Sequence, residues 1–220
     1  MSLVDKEGWR IVGAQIGIGL NCREHSPLRG KINISGQRNS GKPIKLNTFV
    51  SSLEPLFKDK EFTKLSIDDK MVFLEAYWLV LKDFLPNAFE SKEKSVEEKE
   101  QFGRRFKSNI GRKTKVLKTE ESAKESKYLL LSALGIYAIN KLAKDVLHSL
   151  INQGADFRSA EVLKEKLDPL KSFEWNTKTS KLSALVGMKG VSRAYELLIS
   201  HLGQAITVNP GKQLNAHENV

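Results

Sequence analysis

The sequence predicts a mainly α-helical protein, a single helical domain with one small β-hairpin near residues 31–46. Apolar residues recur every three or four positions in several segments, and some of these segments open with a residue that caps helices. The alternation of polar and apolar residues that is typical of strands occurs in only one pair of short runs. Since 220 residues can bury one core, we expect a single domain over residues 1–207, or part of a larger one, and a flexible tail at 208–220.

The two alternating runs, residues 31–35 and 42–46, are separated by a connection rich in Gly and Asn. Two such runs across a turn-forming segment indicate a β-hairpin. From Leu46 to Phe57 the apolar residues keep a spacing of three and four, which predicts an amphipathic helix directly after the hairpin.

A strongly apolar helix is predicted next. Ser66 begins it, because the hydroxyl can accept from the first free amides and Asp69, three residues on, completes a capping box. The stretch from Met71 to Leu85 is apolar nearly all round, and Pro86 ends the pattern. We therefore expect Met71 to Leu81 to lie at the centre of the core.

The longest helical pattern runs from Tyr128 to Ile151, and Gly154 ends it. Its residues Leu129 to Leu150 are predicted to form the second central helix. Shorter helices are expected from Ser159 to Leu167 and from about Val191 to Leu202, with an irregular segment between them.

The composition, 40% apolar and 28% charged, is typical of soluble globular proteins. No segment is apolar enough to span a membrane, and the first residues do not resemble a cleavable leader. The single cysteine, Cys22, excludes an internal disulfide, so the cytoplasm is the expected location. The net charge of +10 favours a polyanionic partner such as DNA, because neutralising phosphates releases counterions.

A charged excursion at 90–120 connects the two central helices. Between Gly103 and Lys118, seven residues are Lys or Arg and none is acidic. Cations along one segment can follow a phosphate backbone, and Phe102 and Phe106 can stack on bases or anchor the segment in the core. The alternative is a solvated loop. The candidate nucleic-acid-binding residues are Arg104, Arg105, Lys107, Arg112, Lys113, Lys115 and Lys118.

Three other motifs give weaker signals. Gly36 to Pro43 nearly matches a phosphate-binding loop, but proline stands where the magnesium-binding hydroxyl belongs, so a hairpin turn is favoured. Gly187 to Gly190 precedes a helix and can offer amides to an anion, although a tight turn that packs the last helix is favoured. Trp175 is interpreted as a core anchor rather than a stacking platform.

The histidines share no metal-ligand spacing: they are His25, His148, His201 and His217. His148 is expected on the solvated side of the long helix. No nucleophile–base signature stands out, and Cys22 is interpreted as an ordinary thiol. The sequence thus predicts no catalytic residue, no metal site and no cofactor, and it disfavours an enzymatic role for this chain alone.

Features near both ends of the chain resemble a known family. Cys22 to Ile32 runs into the Gly/Asn-rich region, a leucine-rich run with Gly135 follows later, and Trp175 precedes two further segments, Gly187 to Val191 and Ala194 to Leu198. This order of features is similar to the C-terminal half of DGQHR-domain proteins, bacterial proteins related to the control protein of DNA phosphorothioation.

The resemblance implies that residues 1–20 form a helix leading out of an N-terminal half with a ParB/sulfiredoxin-like fold, although Gly13, Gly17 and Gly19 disfavour a helix there. The Asp-Gly-Gln-His-Arg motif is absent, so the chain is expected to begin after it, and no enzymatic role carries over. The implied context is DNA modification and defence, with DNA, the missing half or another subunit as partner. A structural or oligomerisation domain without nucleic-acid contact is the alternative.

Overall fold

The computed structural model describes residues 3–37, 40–90, 129–175, 182, 185 and 187–203, with side chains from Gly8 onward. Nine α-helices, one 3₁₀-helix and two strands of two residues each lie in this part of the chain, so the predicted mainly α-helical fold is confirmed. In chain order the elements are α1 (Leu3–Cys22), β1 (Ile32–Asn33), β2 (Ile44–Lys45), α2 (Leu46–Ser52), α3 (Glu54–Phe57), α4 (Lys60–Lys64), α5 (Ile67–Phe84), α6 (Pro86–Phe89), α7 (Ala133–Asn152), α8 (Ala160–Leu167), the 3₁₀-helix η1 (Asp168–Ser172) and α9 (Gly187–Leu202).

One apolar cluster extends through the described residues from α1 to α9. Helix α7 packs against α2, α3 and α9, while α5 packs against α1 and α8. Trp78 and Tyr77 of α5 and Ile139 and Leu142 of α7 are fully buried. The two helices predicted to be central are therefore the main contributors to the core. The predicted excursion at 90–120 lies outside the described residues after Glu90, as does the predicted tail at 208–220.

The strands occupy the predicted place, but they pair in parallel and do not form a hairpin. Ile32 lies opposite Ile44, and both side chains are buried. The connection turns at Gly36 and Gly41, whose φ angles of +71° and +69° are accessible mainly to glycine. Parallel pairing requires that the connection carry the chain back to the beginning of β1 before β2 starts. Alternation along each run predicted the strands and could not predict their relative direction.

Residues 3–22 form a helix in spite of the interior glycines. A Cβ atom at Gly17 would lie 2.9 Å from Leu46 Cδ1, and one at Gly19 would lie 2.7 Å from Met71 Sδ. Glycine costs a helix about 1 kcal/mol relative to alanine, but here it lets α1 pack closely against α2 and α5. These tertiary contacts explain why the segment is helical although its glycines have a low helix propensity.

The predicted helix from Leu46 to Phe57 is broken into α2 and α3. Pro55 lies in the first turn of α3, where its missing amide hydrogen is tolerated, but it cannot continue the hydrogen bonding of α2. At the break, Ser52 Oγ donates to the carbonyl of Phe49 at 2.6 Å and accepts from Asn140 Nδ2 of α7 at 2.7 Å. These hydrogen bonds connect the end of α2 to the central helix α7.

Helix α7 begins at Ala133, later than the predicted start at Tyr128. Leu129 to Leu131 lie in a turn before it, and Ser132 Oγ caps the helix by accepting from the amide of Gly135 at 3.3 Å. The same hydroxyl donates to the carbonyl of Leu129 at 2.6 Å, and the amide of Leu129 donates to the carbonyl of Trp175 at 2.9 Å. The turn before α7 is thus held both locally and by a residue 46 positions away along the chain.

The other helix limits agree more closely with the sequence. Ser66 caps α5 as predicted, since its Oγ accepts from the amide of Asp69 at 3.0 Å and donates to the Asp69 carboxylate at 2.8 Å. Ser159 caps α8. Helix α9 begins at Gly187, four residues before the predicted Val191.

Candidate functional site

The seven predicted nucleic-acid-binding cations all lie outside the described residues: Arg104, Arg105, Lys107, Arg112, Lys113, Lys115 and Lys118. The structure does describe the chain on both sides of them. On the N-terminal side, Phe89 is buried and its ring meets that of Trp78 edge-on, with centroids 6.3 Å apart. On the C-terminal side, the amide of Leu129 donates to the carbonyl of Trp175. Residues 91–128 therefore connect two points that are fixed in the core.

The name basic rim is used for three lysines: Lys31, Lys45 and Lys82. Burial lowers the pKa of Lys31, and the positive charge of Lys82 lowers it further, so the two ammonium groups are close enough to repel each other. Lys82 lies in the last turn of α5, seven residues before Phe89 of α6.

Lys45 extends the rim to the point where the chain returns. The carbonyl of Lys31, the residue before β1, accepts from the amide of Ile44 at 3.2 Å, so Lys31 lies beside β2, which contains Lys45. Lys45 also borders a surface depression of about 150 Å³ whose other walls include Leu131 and Ala133. Leu131 belongs to the turn that follows the excursion. Lys45 thus lies near the point where the chain returns to the described fold.

The depression beside Lys45 contains few polar groups. It is lined by Lys45, Thr48 and apolar side chains, among them Pro43, Ile44 and Ile136. One ammonium group and one hydroxyl can orient a small anion, but they do not form a metal or cofactor site. The basic rim is therefore better suited to contact an extended anionic ligand on the surface than to enclose a small molecule.

His148 is predicted on the solvated side of the long helix, and it is partly exposed there, with 36% of its side chain accessible. Its Nε2 contacts the carboxylate of Asp59. Asp59 caps α4, accepting from the amides of Glu61 at 3.0 Å and Phe62 at 3.1 Å. Burial acts to raise the pKa of Asp59, but the hydrogen bonds from His148 and the backbone together lower it. The pair joins α4 to α7 and is structural.

Ser172 and His201 come close together on the surface, with Ser172 Oγ 3.0 Å from His201 Nε2. Such a pair resembles a nucleophile and its base. However, the same Nε2 lies 2.9 Å from the carbonyl oxygen of Pro169, which can only accept. Nε2 must therefore carry its proton to make that bond, and it cannot act as a base toward the hydroxyl. We interpret the pair as a connection between η1 and α9.

The remaining sequence motifs have structural explanations. Gly36 to Pro43 connects two strands, with residues 38 and 39 outside the description, and β2 rather than a helix follows it. Gly187 to Gly190 is the first turn of α9 and not the predicted tight turn before it. Gly190 does pack the helix, since a Cβ there would lie 3.0 Å from the Leu185 backbone. Trp175 is 2% exposed, so its predicted role as a core anchor is confirmed.

Within the part of the chain that the structure describes, no group of three or more His, Cys, Asp or Glu side chains could hold a metal ion. None of the described helices is long and apolar enough to cross a membrane. No protein-family model matches the chain, and no curated protein or solved structure is significantly similar to it.

Sequence reasoning did not identify the basic rim. Its members, Lys31, Lys45 and Lys82, are spread over the sequence, and isolated lysines on otherwise ordinary elements give no local signal. Only the tertiary structure brings Lys82 close enough to Lys31 to affect its pKa. The net positive charge was the single sequence property that indicated such a surface.

Proposed function

We propose that this chain is a non-catalytic helical module that binds DNA through the basic segment from Gly103 to Lys118. In this proposal the module belongs to a cytoplasmic bacterial protein of DNA modification or defence, of the DGQHR-domain kind that the sequence resembles. The observation that carries the proposal is the charge of the segment: seven Lys or Arg residues without one acid. These cations would repel one another unless solvent or a polyanion neutralised them.

The position of the segment supports the proposal. The chain leaves the described fold after α6 and returns to it at Leu129, before α7, and both of these points contact buried tryptophans, Trp78 and Trp175. The basic segment is therefore joined to the folded domain on both sides. In this proposal Lys45 and Lys82 add phosphate contacts to those of the segment.

The test is the salt dependence of binding to a fluorescently labelled 20-base-pair duplex, measured by anisotropy with the full chain. For duplex DNA, a plot of the logarithm of the binding constant against the logarithm of the salt concentration has a negative slope of about 0.9 for each phosphate contact. We expect a quadruple glutamine variant to flatten this slope by about 0.9 for each contact that it loses. The substitutions are Arg104→Gln, Arg105→Gln, Arg112→Gln and Lys113→Gln.

A matched variant separates the position of the charges from their number. It also removes four cations, but from exposed sites far from the basic segment in sequence: Lys58→Gln, Lys60→Gln, Lys64→Gln and Arg193→Gln. If the segment binds DNA, this control keeps the wild-type slope. Equal flattening in both variants would mean that net charge alone drives binding. Absence of any binding at low salt would favour the structural or oligomerisation alternative.

Lys45→Gln combined with Lys82→Gln tests the rim separately. Since both side chains are exposed, the variant should fold normally. We expect a smaller flattening than in the quadruple variant, because the rim has fewer cations than the segment.

A further inference from the structure

The depression beside Lys45 combines an apolar interior with a polar edge. Its lining includes three side chains that are at most 7% exposed, Ile44, Leu131 and Ile136. Lys45 and Thr48 supply the polar groups, and Lys45 is exposed to solvent. No acidic side chain is among the described residues that line the depression. Its chemistry therefore matches an occupant with an apolar body attached to a negatively charged group.

The size of the depression limits what it can hold. Its volume is about 150 Å³. Pockets that enclose a drug-sized molecule have volumes of about 300–1,000 Å³, so this depression can take one planar ring system but not a complete nucleotide. Apolar side chains are suited to such a ring, because a base that has left the helical stack is held between aromatic or apolar side chains. The hydroxyl of Thr48 can donate or accept a hydrogen bond at the edge of the ring.

We infer that the depression receives one unpaired base of a single-stranded DNA whose phosphates contact Lys45 and the basic segment. The inference rests on the proposed DNA binding and names the form of DNA that the chain prefers. Each base is attached through its sugar to the phosphate backbone, so a strand held at Lys45 brings a base to the depression that Lys45 borders. In a duplex the bases are paired and stacked, and a base enters such a depression only after it has been unpaired at a cost in free energy.

The sequence of the basic segment favours the same form of DNA. Phe102 and Phe106 lie among its first cations. Proteins that bind single strands combine cations that follow the backbone with aromatic side chains on which successive bases stack. Cations contact the phosphates of either form, whereas aromatic side chains and an apolar depression contribute only when bases are free to leave the stack.

Anisotropy titrations of the full chain compare three labelled ligands: single-stranded oligo(dT), an abasic oligomer of the same length and the 20-base-pair duplex. The wild type should bind oligo(dT) about tenfold more tightly than the abasic oligomer, since a stacked base contributes a factor of about this size or more. Ala133→Leu fills the depression from an exposed position and leaves the charge unchanged. It should remove most of this preference and leave the affinities for the abasic oligomer and the duplex as they are.

Two further variants complete the test. Ser192→Leu adds the same side chain at an exposed position of α9 outside the depression, and it should change none of the three affinities. Thr48→Leu narrows the depression from α2 and should act as Ala133→Leu does, which keeps the test open if one variant fails to fold. Urea denaturation shows whether each variant is folded.

The inference and the proposed function fail in different ways. Equal affinities of the wild type for oligo(dT) and the abasic oligomer overturn the inference, and so do folded Ala133→Leu and Thr48→Leu variants that keep the wild-type preference. DNA binding through the basic segment is compatible with either result. Absence of binding to all three ligands at low salt contradicts the proposed function itself, and with it the inference.

Discussion

Trp78 is fully buried between the rings of Tyr77 and Phe89, and its indole Nε1 has no hydrogen-bond partner in the described residues. Trp78→Ala removes a large aromatic group from the core and should destabilise the fold by about 3–5 kcal/mol. Trp78→Phe keeps a ring and removes the unpaired donor, so its effect should be clearly smaller. Urea denaturation measures the free energy of unfolding of the wild type and of both variants. An equal loss of stability in the two variants would contradict tight packing around the Trp78 ring.

Asp59 makes the stability of the fold sensitive to acid. Its pKa is lowered in the folded state, because bonds from His148 and two backbone amides outweigh the opposing effect of burial. Its stabilising contribution is therefore present above the unfolded pKa of about 3.9 and is lost as pH falls through the lower folded value. Asp59→Asn keeps a capping oxygen but cannot titrate.

Thermal denaturation between about pH 5 and about pH 2 checks this prediction, since the range includes the unfolded pKa of an aspartate. The melting temperature of Asp59→Asn should fall less on acidification than that of the wild type. Parallel curves for the two proteins would show that other carboxylates account for the acid sensitivity.

At the scale of one element, Gly135 determines how α7 begins. A Cβ atom there would lie 2.2 Å from the Leu129 carbonyl oxygen and 2.5 Å from that of Leu130, both backbone atoms that cannot move away easily. Gly135→Ala should therefore destabilise the protein, although alanine favours a helix by about 1 kcal/mol over glycine. The turn that joins the excursion to α7 would have to shift.

Gly8 provides the control for this prediction. It lies within α1, and a Cβ atom there meets nothing within 4 Å. Gly8→Ala should stabilise by up to about 1 kcal/mol, because only the helix propensity changes. Chemical denaturation measures both variants. A stabilising Gly135→Ala would show that the turn does not lie against the helix.

At the scale of the whole molecule, the proposed DNA contact combines the basic segment with Lys45 and Lys82. We expect the six substitutions together, the four glutamines in the segment with Lys45→Gln and Lys82→Gln, to flatten the salt slope by the sum of the two separate effects. Anisotropy titrations of the combined variant measure this slope. A flattening clearly below the sum would show that the two groups of cations do not contact separate phosphates.

The sequence by itself determined the helical class, the central position of α5 and α7, the cap at Ser66 and the helix that follows Ser159. These features depend on residues within a few positions of one another, so periodicity and capping chemistry predict them. The charge excess and the basic segment are also properties of the sequence, and their role in binding stays a prediction.

Only the tertiary structure decided the features that depend on distant residues. It set the parallel direction of β1 and β2, the helical state of the glycine-rich α1, the late start of α7 and the grouping of Lys31, Lys45 and Lys82. Each of these features depends on contacts between segments that are remote in sequence, and the conformational preferences of neighbouring residues alone do not determine it. Local patterns indicate which residues are buried, but the choice of their partners is made by the packing of the whole core.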